Sequence, residues 1–468
     1  MPKVVGERIR ASKHSIGCRP SRMSTLTLFA LGLSALTGAL LVQNKPTAAA
    51  NTDELKAELA NLQRRLAALR NARRRTAHAA AVDSGSKPRS WKLPGTNTSL
   101  RIGGYVKLDM IYDINAGAGN SLKASRIPID GTVAGNRQGH WRLHSRRSRI
   151  YIKTWTPTEW GKMATHIEVD FSGAGGNQLI SNSSGLRLRH GYGRLGPLLA
   201  GQTGSNFNAG EGDPETLDSG GPPGVASNRQ PQIRYNHDFG GGTTLALAIE
   251  NPETGLIISV NPASGSGLGL GPSHDPWPDF TFRLRHRWGR SSASVSGVFR
   301  RLNINNGGGI SASAFAWGLT AGVGWRFNKG RTALGGTVYG GMGIGRYTTM
   351  VFATAVYNGT SAANQSLKTV PVIGGQIWLN HAWTNTIRTN VGYGRAYANV
   401  QYANRSVLGG KTGLGAYGQD AWRVWANLIW SPVDNAEIGI EYMYAFRGEA
   451  NSANGKAHRL QASFKYSF

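Results

Sequence analysis

A period of two that sorts charge from grease constrains this chain most. Phe280, Phe282, Leu284, His286 and Trp288 fall on one face of an extended segment, and Thr281, Arg283, Arg285 and Arg287 on the other. Trp422, Val424, Ala426, Leu428 and Trp430 make a similar face, as do Ile438, Ile440, Tyr442, Tyr444 and Phe446. The last segment sets Leu460, Ala462, Phe464, Tyr466 and Phe468 against Arg459, Gln461, Ser463, Lys465 and Ser467. Turn-rich connectors such as 303–309, 358–365 and 409–415 separate these runs.

Two architectures accept such alternation: a soluble β-sandwich and a membrane barrel with an apolar exterior. Aromatic residues gather at segment ends, as the interfacial girdles of a barrel require. The opposite faces are rich in charge and glycine, which suits a wet lumen. Only one stretch nears the roughly 20 apolar residues of a spanning helix. One cysteine excludes a disulfide framework and thiolate metal clusters, and 64 glycines without a three-residue period exclude collagen. Mean hydropathy of -0.32 is what results when only alternate residues meet lipid. The span after Trp91 supplies about 16 strands at roughly 23 residues per strand and connection. The fold class expected over residues 91–468 is an all-β transmembrane antiparallel β-barrel, preceded by a short N-terminal coiled-coil helix, in contact with outer-membrane lipid.

Residues 1–50 read as a signal peptide: a basic start, an apolar run over 26–42 and the exit Ala48-Ala49-Ala50. This places the protein in the bacterial outer membrane. Over 51–76, Leu55, Leu59, Leu62, Leu66 and Leu69 step by four and three, the a/d spacing of a coiled coil. About two and a half heptads are too short to hold alone in water, so this periplasmic helix is expected to zip where something larger gathers several chains. The bland alternative is an amphipathic helix on its own domain. Residues 77–90 form a linker.

Parity then sorts the cations. With Ile150 and Ile152 outward, Arg147, Arg149, Tyr151 and Lys153 face the lumen. Leu186 and Leu188 turn Arg187 and Arg189 inward, and Ile233 and Tyr235 do the same for Arg234. Arg283, Arg285 and Arg287 follow, with His166, Glu168 and Asp170. Arg142 and Arg146 share the parity of Ile150 and stay outside this set. Of 53 cationic residues 38 are Arg, whose planar fork matches carboxylate, phosphate or sulfonate. A charge on the lipid face near the midplane costs about 2–4 kcal/mol, and a row of Arg in a narrow channel draws anions and repels cations. The alternative is bracing of the wall by pairs with Glu168, Asp170, Glu250 and Glu441. The long connector 204–230 carries Asn206, Phe207, Glu211, Asp213, Glu215 and Asp218. Folded inward it narrows the pore and sets a negative wall opposite the arginines; otherwise its acids are solvated outside. No rigid calcium-ligand spacing is visible.

Several motifs occur in order: 93–109 (LPGTNTSLRIGGYVKLD), 145–149 (SRRSR), 156–161 (TPTEWG), 167–171 (IEVDF), 186–193 (LRLRHGYG), 201–203 (GQT), 214–218 (PETLD) and 229–235 (RQPQIRY). Together they resemble DcaP-like outer-membrane porins. The resemblance implies a homotrimer, 16 strands, a periplasmic coiled coil and passive uptake of small anions, dicarboxylates among them. Arg147 departs from the uncharged polar residue expected there, and Gly204 from a tryptophan. The final Phe468 fits the terminal aromatic that the barrel-insertion machinery reads in such proteins.

The function expected is therefore a water-filled, anion-preferring channel for small anionic solutes. A structural or adhesive barrel with a blocked lumen is the alternative. The histidines fall into no Ser/His/acid motif, so no enzyme is expected. Neither is a cofactor, a metal site or a nucleic-acid partner, since the cations alternate on strands and no reader module occurs.

Overall fold

The computed structural model describes residues 52–79, 84–255, 257–259, 274–305, 311–350, 353–358, 365–400, 402 and 418–468. The expected leader and the 409–415 connector lie outside them, and the 303–309 and 358–365 connectors do so in part. Two compact units divide the chain at Ala81 and Val82.

In the first unit a single helix, α1, spans Thr52–Ala79. Leu59, Leu62, Leu66 and Leu69 are all more than half exposed. Among the described residues nothing covers these four positions. The side chain of Leu55 lies outside the described set.

The second unit is a ring of antiparallel strands. In chain order these are β1 (Ser99–Asn115), β2 (in two pieces, Gln138–His144 and Arg149–Thr158), β3 (Gly161–Gly173), β4 (Gly185–Leu195), β5 (Leu198–Gly204), β6 (Arg229–Gly240), β7 (Thr243–Glu250) and β8 (Asp279–Trp288). There follow β9 (Ser291–Asn305), β10 (Ser311–Phe327), β11 (Thr332–Met342), β12 (Pro371–Ala382), β13 (Ile387–Ala398), β14 (Gly418–Val433), β15 (Ala436–Glu449) and β16 (Asn454–Ser467). Each strand pairs with the next, and β16 pairs with β1, from Tyr105 opposite Ser467 to Asp113 opposite Arg459. Gly104 and Phe468 exchange backbone bonds at 3.1 and 3.2 Å where the ring closes. Closure matters because an open edge in hydrocarbon would leave N–H and C=O groups without partners.

Short turns mark one end of the barrel and long connections the other. At the short-turn end Phe239, Trp288, Trp325, Phe327, Trp383 and Trp430 are exposed. At the other end Trp422 stacks on Phe446 at 5.5 Å and meets Tyr444 at 5.1 Å. The two aromatic girdles and the exposed apolar band between them are the lipid face.

The parity rule fails in two informative places. The bend at 145–148 interrupts β2, so His144 stands opposite Asp109 while Arg149 stands opposite Tyr105. One residue of phase is lost between the pieces. Trp141 and Leu143 are outward and exposed, which turns Arg142 inward, contrary to the parity extended from Ile150. The inward face is also not uniformly wet. Val298, Tyr339, Trp378, Trp425 and Met443 point inward yet are buried, because connections folded into the barrel cover them. Phe207, Leu122, Ile127, Ile344 and Tyr347 from those connections complete one apolar cluster. A small sheet of Ile257–Ser259, Ala355–Asn358 and Ser366–Thr369 forms beyond the long-connection ends of the strands, and Tyr357 and Leu367 pack with Leu302 and Ile304.

Ile377 lies mid-strand on the exposed face, 58 % accessible. Ile377→Arg should cost about 2–4 kcal/mol of folding stability in lipid, measured by urea-dependent folding into vesicles. A cost near zero would mean that this face never meets hydrocarbon.

Candidate pore constriction

The connection between β5 and β6, residues 205–228, runs through the barrel interior rather than outside it. Carboxylates on the wall seat its backbone. Glu441 on β15 accepts from the backbone N–H of Leu217 at 2.7 Å and of Asp218 at 3.1 Å. Glu250 at the end of β7 accepts from the N–H of Asn206 and the hydroxyl of Ser205, both at 3.0 Å. Neither carboxylate has an ion pair with an arginine among the described residues, so the bracing they show is toward the loop. Further along, Trp378 Nε1 and Gln376 Nε2 donate to the Gly212 carbonyl at 2.6 and 3.0 Å, and the Tyr339 hydroxyl donates to Pro223 at 3.0 Å.

Glycines on the lumen side make room for this path. A Cβ at Gly322 of β10 would lie 2.7 Å from that of Ala209, and one at Gly324 would overlap the Glu211 carbonyl oxygen. The glycine excess of the chain thus has a local cause: backbone laid directly on backbone.

The loop acids do not form a free negative wall. Glu211 pairs with Arg283, with Arg285 at 2.7 Å and with the Ser294 hydroxyl at 2.6 Å. Glu215 meets Arg388 at 2.7 Å. Asp218, buried, meets Arg423 at 3.2 Å and Arg459 at 3.6 Å, and accepts from the N–H of Leu122 at 2.8 Å. Burial raises the pKa of Asp218, but these arginines and backbone donors outweigh it and hold the carboxyl below the usual range. In Glu211 the bonds from Arg283 likewise overcome the effect of burial. Asp213 has no ion pair among the described residues. Enclosure by the barrel first, and the neighbouring Glu211 second, push its carboxyl up to about 6, against the pull of Arg283.

On the opposite wall, five of the inward arginines of β2–β6 gather near two carboxylates. Arg187 grips Asp170 with a two-pronged fork at 2.6 and 2.9 Å. Arg189 bonds Glu168 at 2.7 Å and Asp170 at 3.0 Å, and Arg149 reaches Glu168 at 3.3 Å. Arg234 donates to Gln232 and to the Gly204 carbonyl, with no acid. Arg147, in the β2 bend, has no ion pair among the described residues. It lines a cavity of about 450 Å³ with Tyr105, Lys107, Arg149 and Lys465, facing the loop from Asp213 to Val225. Arg149 and Lys465 sit 5.4 and 5.2 Å from the Tyr105 ring centre. Arg287 is exposed at the short-turn end.

All eight arginines expected inward are on the lumen side, but they are spread over it. Arg147 and Arg149 line the cavity, Arg187 and Arg189 hold Asp170 and Glu168, Arg283 and Arg285 bind Glu211 of the loop, Arg234 bonds the Gly204 carbonyl and Arg287 lies at the short-turn end. The residues missed are Arg388, Arg423, Arg459 and Tyr347. Parity on β14 and β16 already marked Arg423 and Arg459 as inward; their acidic partners in 113 and 218 could not be read from spacing. Among the described residues no group of three or more His, Cys, Asp or Glu could hold a metal ion.

A family model described as a porin subfamily matches residues 91–467. The chain belongs to this porin subfamily. It is 27 % identical over 164 residues to porin Omp2b of Brucella suis and equally to that of Brucella abortus, a match covering 34 % of this chain and 41 % of those relatives. The matched region thus spans about two fifths of their length. The fold is similar to the crystal structure of the outer-membrane channel DcaP of Acinetobacter baumannii, with a TM-score of 0.69 and 22 % identity over 81 % of this chain and 99 % of that one.

Two outcomes follow for this porin. Asp213 is charged at pH 7.5 and neutral at pH 5, so the loop loses one negative charge as pH falls through about 6. Reversal potentials should therefore shift toward anions across that interval, with a smaller shift in Asp213→Asn. Gly324→Val should displace the loop and raise single-channel conductance; an unchanged conductance would show that the loop does not set the bore.

Proposed function

We propose that this porin forms a water-filled channel in the bacterial outer membrane through which small anions diffuse passively. Dicarboxylates are among them, as the resemblance to DcaP-like porins implies. The observation that carries this reading is the excess of guanidinium groups on one wall: Arg147, Arg149, Arg187, Arg189 and Arg234 around the two carboxylates Glu168 and Asp170. In a confined bore such an excess lowers the energy of an entering anion and raises that of a cation. Passage is kept reversible because most forks are already engaged by carboxylates, so a solute meets partial rather than full cationic charge. The exposed leucine seam of α1 supports a homotrimer, since a two-to-three-heptad seam gains stability only where barrels already hold helices together. No reaction step is part of this role.

The inward connections give the plugged structural barrel a specific basis, and it predicts no discrete conductance. The open cavity beside Arg147 favours the channel. Planar-bilayer recordings under a salt gradient decide between them: stepwise conductance with an anion-directed reversal potential is expected. Replacing Arg147 and Arg149 by Gln should move that potential toward zero, and an unchanged value would place both residues off the conduction path. Replacing Arg283, Arg285 and Arg287 should also weaken anion preference, because Glu211 is then left as a bare charge beside the bore.

A further inference from the structure

Outside the lumen, the short-turn end carries a second arrangement of charge and grease. The β8–β9 turn bears Arg290, and the β10–β11 turn bears Lys329 and Arg331. All three are exposed, and none has an acidic partner among the described residues. The acids of the same rim lie elsewhere, Glu159 and Asp434 on other turns and Asp238 near the end of β6. The two basic turns approach each other closely: an Arg290 guanidinium nitrogen lies 2.6 Å from where a Cβ on Gly330 would be. In that second turn Asn328, Lys329 and Gly330 all have positive φ, at 52°, 55° and 85°. This is a strained conformation for the two non-glycine residues, and it holds Lys329 on the rim.

Directly beside these turns, the outer face of β8–β12 is grooved. The groove encloses about 930 Å³ and is almost wholly apolar. Its floor is made of small outward residues, Ala293, Ala321 and Gly336, while Trp288, Trp325 and Ile377 stand up at its sides. Strand registers set each small position against a valine, Ala293 and Gly336 on either side of Val323 and Ala321 between Val295 and Val338, so the low points run diagonally across the strands. At about 3.3 Å per residue the groove runs roughly 15 Å along the strands, half the roughly 30 Å hydrocarbon core, which is one leaflet.

We propose that this is a binding site for one anionic phospholipid of the periplasmic leaflet, its phosphate held by Arg290, Lys329 and Arg331 and an acyl chain lying in the groove. Short turns face the periplasm in such barrels, which puts the cations at head-group depth and the tryptophans at the interface. A lysine or arginine near a membrane surface favours anionic lipid by electrostatics that salt weakens. A second copy of this chain, with 53 cationic residues to 25 acids, would bring mostly like charge to this rim.

Native mass spectrometry of the full porin in mild detergent, titrated with phosphatidylglycerol or phosphatidylethanolamine, tests the site. One phosphatidylglycerol per protomer should be retained in preference to phosphatidylethanolamine. Retention should fall at least tenfold in the R290Q/K329Q/R331Q variant and in Ala321→Trp, which fills the groove. Equal retention of both lipids, or retention within twofold of the parent in the charge variant, overturns the proposal. So does a change of oligomeric state in the charge variant, which would assign the groove to contact between copies. Conductance recorded on the same variants should be unchanged, so a failure here is separable from a failure of the channel reading.

Discussion

Hydrocarbon offers a backbone amide nothing to bond, and the rest of this structure follows from that poverty. Sixteen strands satisfy one another only because β16 returns to β1, with Phe468 bonded to Gly104 at the seam. Once the ring is closed, successive side chains must alternate between lipid and lumen. Charge then has one inexpensive destination. The arginines are inside because burial in acyl chains is the costlier option, and a channel with a cationic wall is the by-product of that sorting.

Inside, the dominant task is to seat a long connection without leaving its own polar groups bare. Glu441 and Glu250 do this with backbone N–H groups rather than with guanidinium partners. Each is a buried carboxylate that also accepts from its surroundings, Glu441 from Asn427 and Glu250 from Gln230 and the hydroxyls of Ser205 and Thr281. Asp218 works in the opposite direction, as a loop carboxylate pinned between wall arginines and the N–H of Leu122 from another inward connection. Tyr347, from a third connection, donates to Asp279 at 2.7 Å while Arg300 bonds the same carboxylate at 2.8 Å. Several connections are thus tied into one polar network, and breaking one member would strand buried charge in the others.

Much of this was legible in residues. Period-two alternation gave the barrel, its approximate strand number and the inward arginines, because side-chain direction in a strand is dictated by the pleat. The length and acidity of 204–230 left an inward course and a solvated outer loop both open, and the carboxylates that seat the loop inside lie far away in sequence. Other features were hidden for physical reasons. Arg142 was misplaced because a four-residue bend shifts phase, and nothing in Ser145-Arg146-Arg147-Ser148 announces that shift. Trp378 and Trp425 sit on the wet side because folded-in loops cover them, and local periodicity carries no information about coverage from elsewhere in the chain. The fate of Glu441 was obscured by the same cause: its partners are more than 220 residues away in sequence.

The glycines under the loop have a consequence of their own. Loop position is set where Gly322 and Gly324 let two main chains touch, whereas the charge along the passage comes from the arginines of β2–β6 and β8 together with the acids of the loop. Aperture and charge thus rest on largely different residues. A methyl group added on the β10 side can therefore alter the aperture without removing any arginine of the wall.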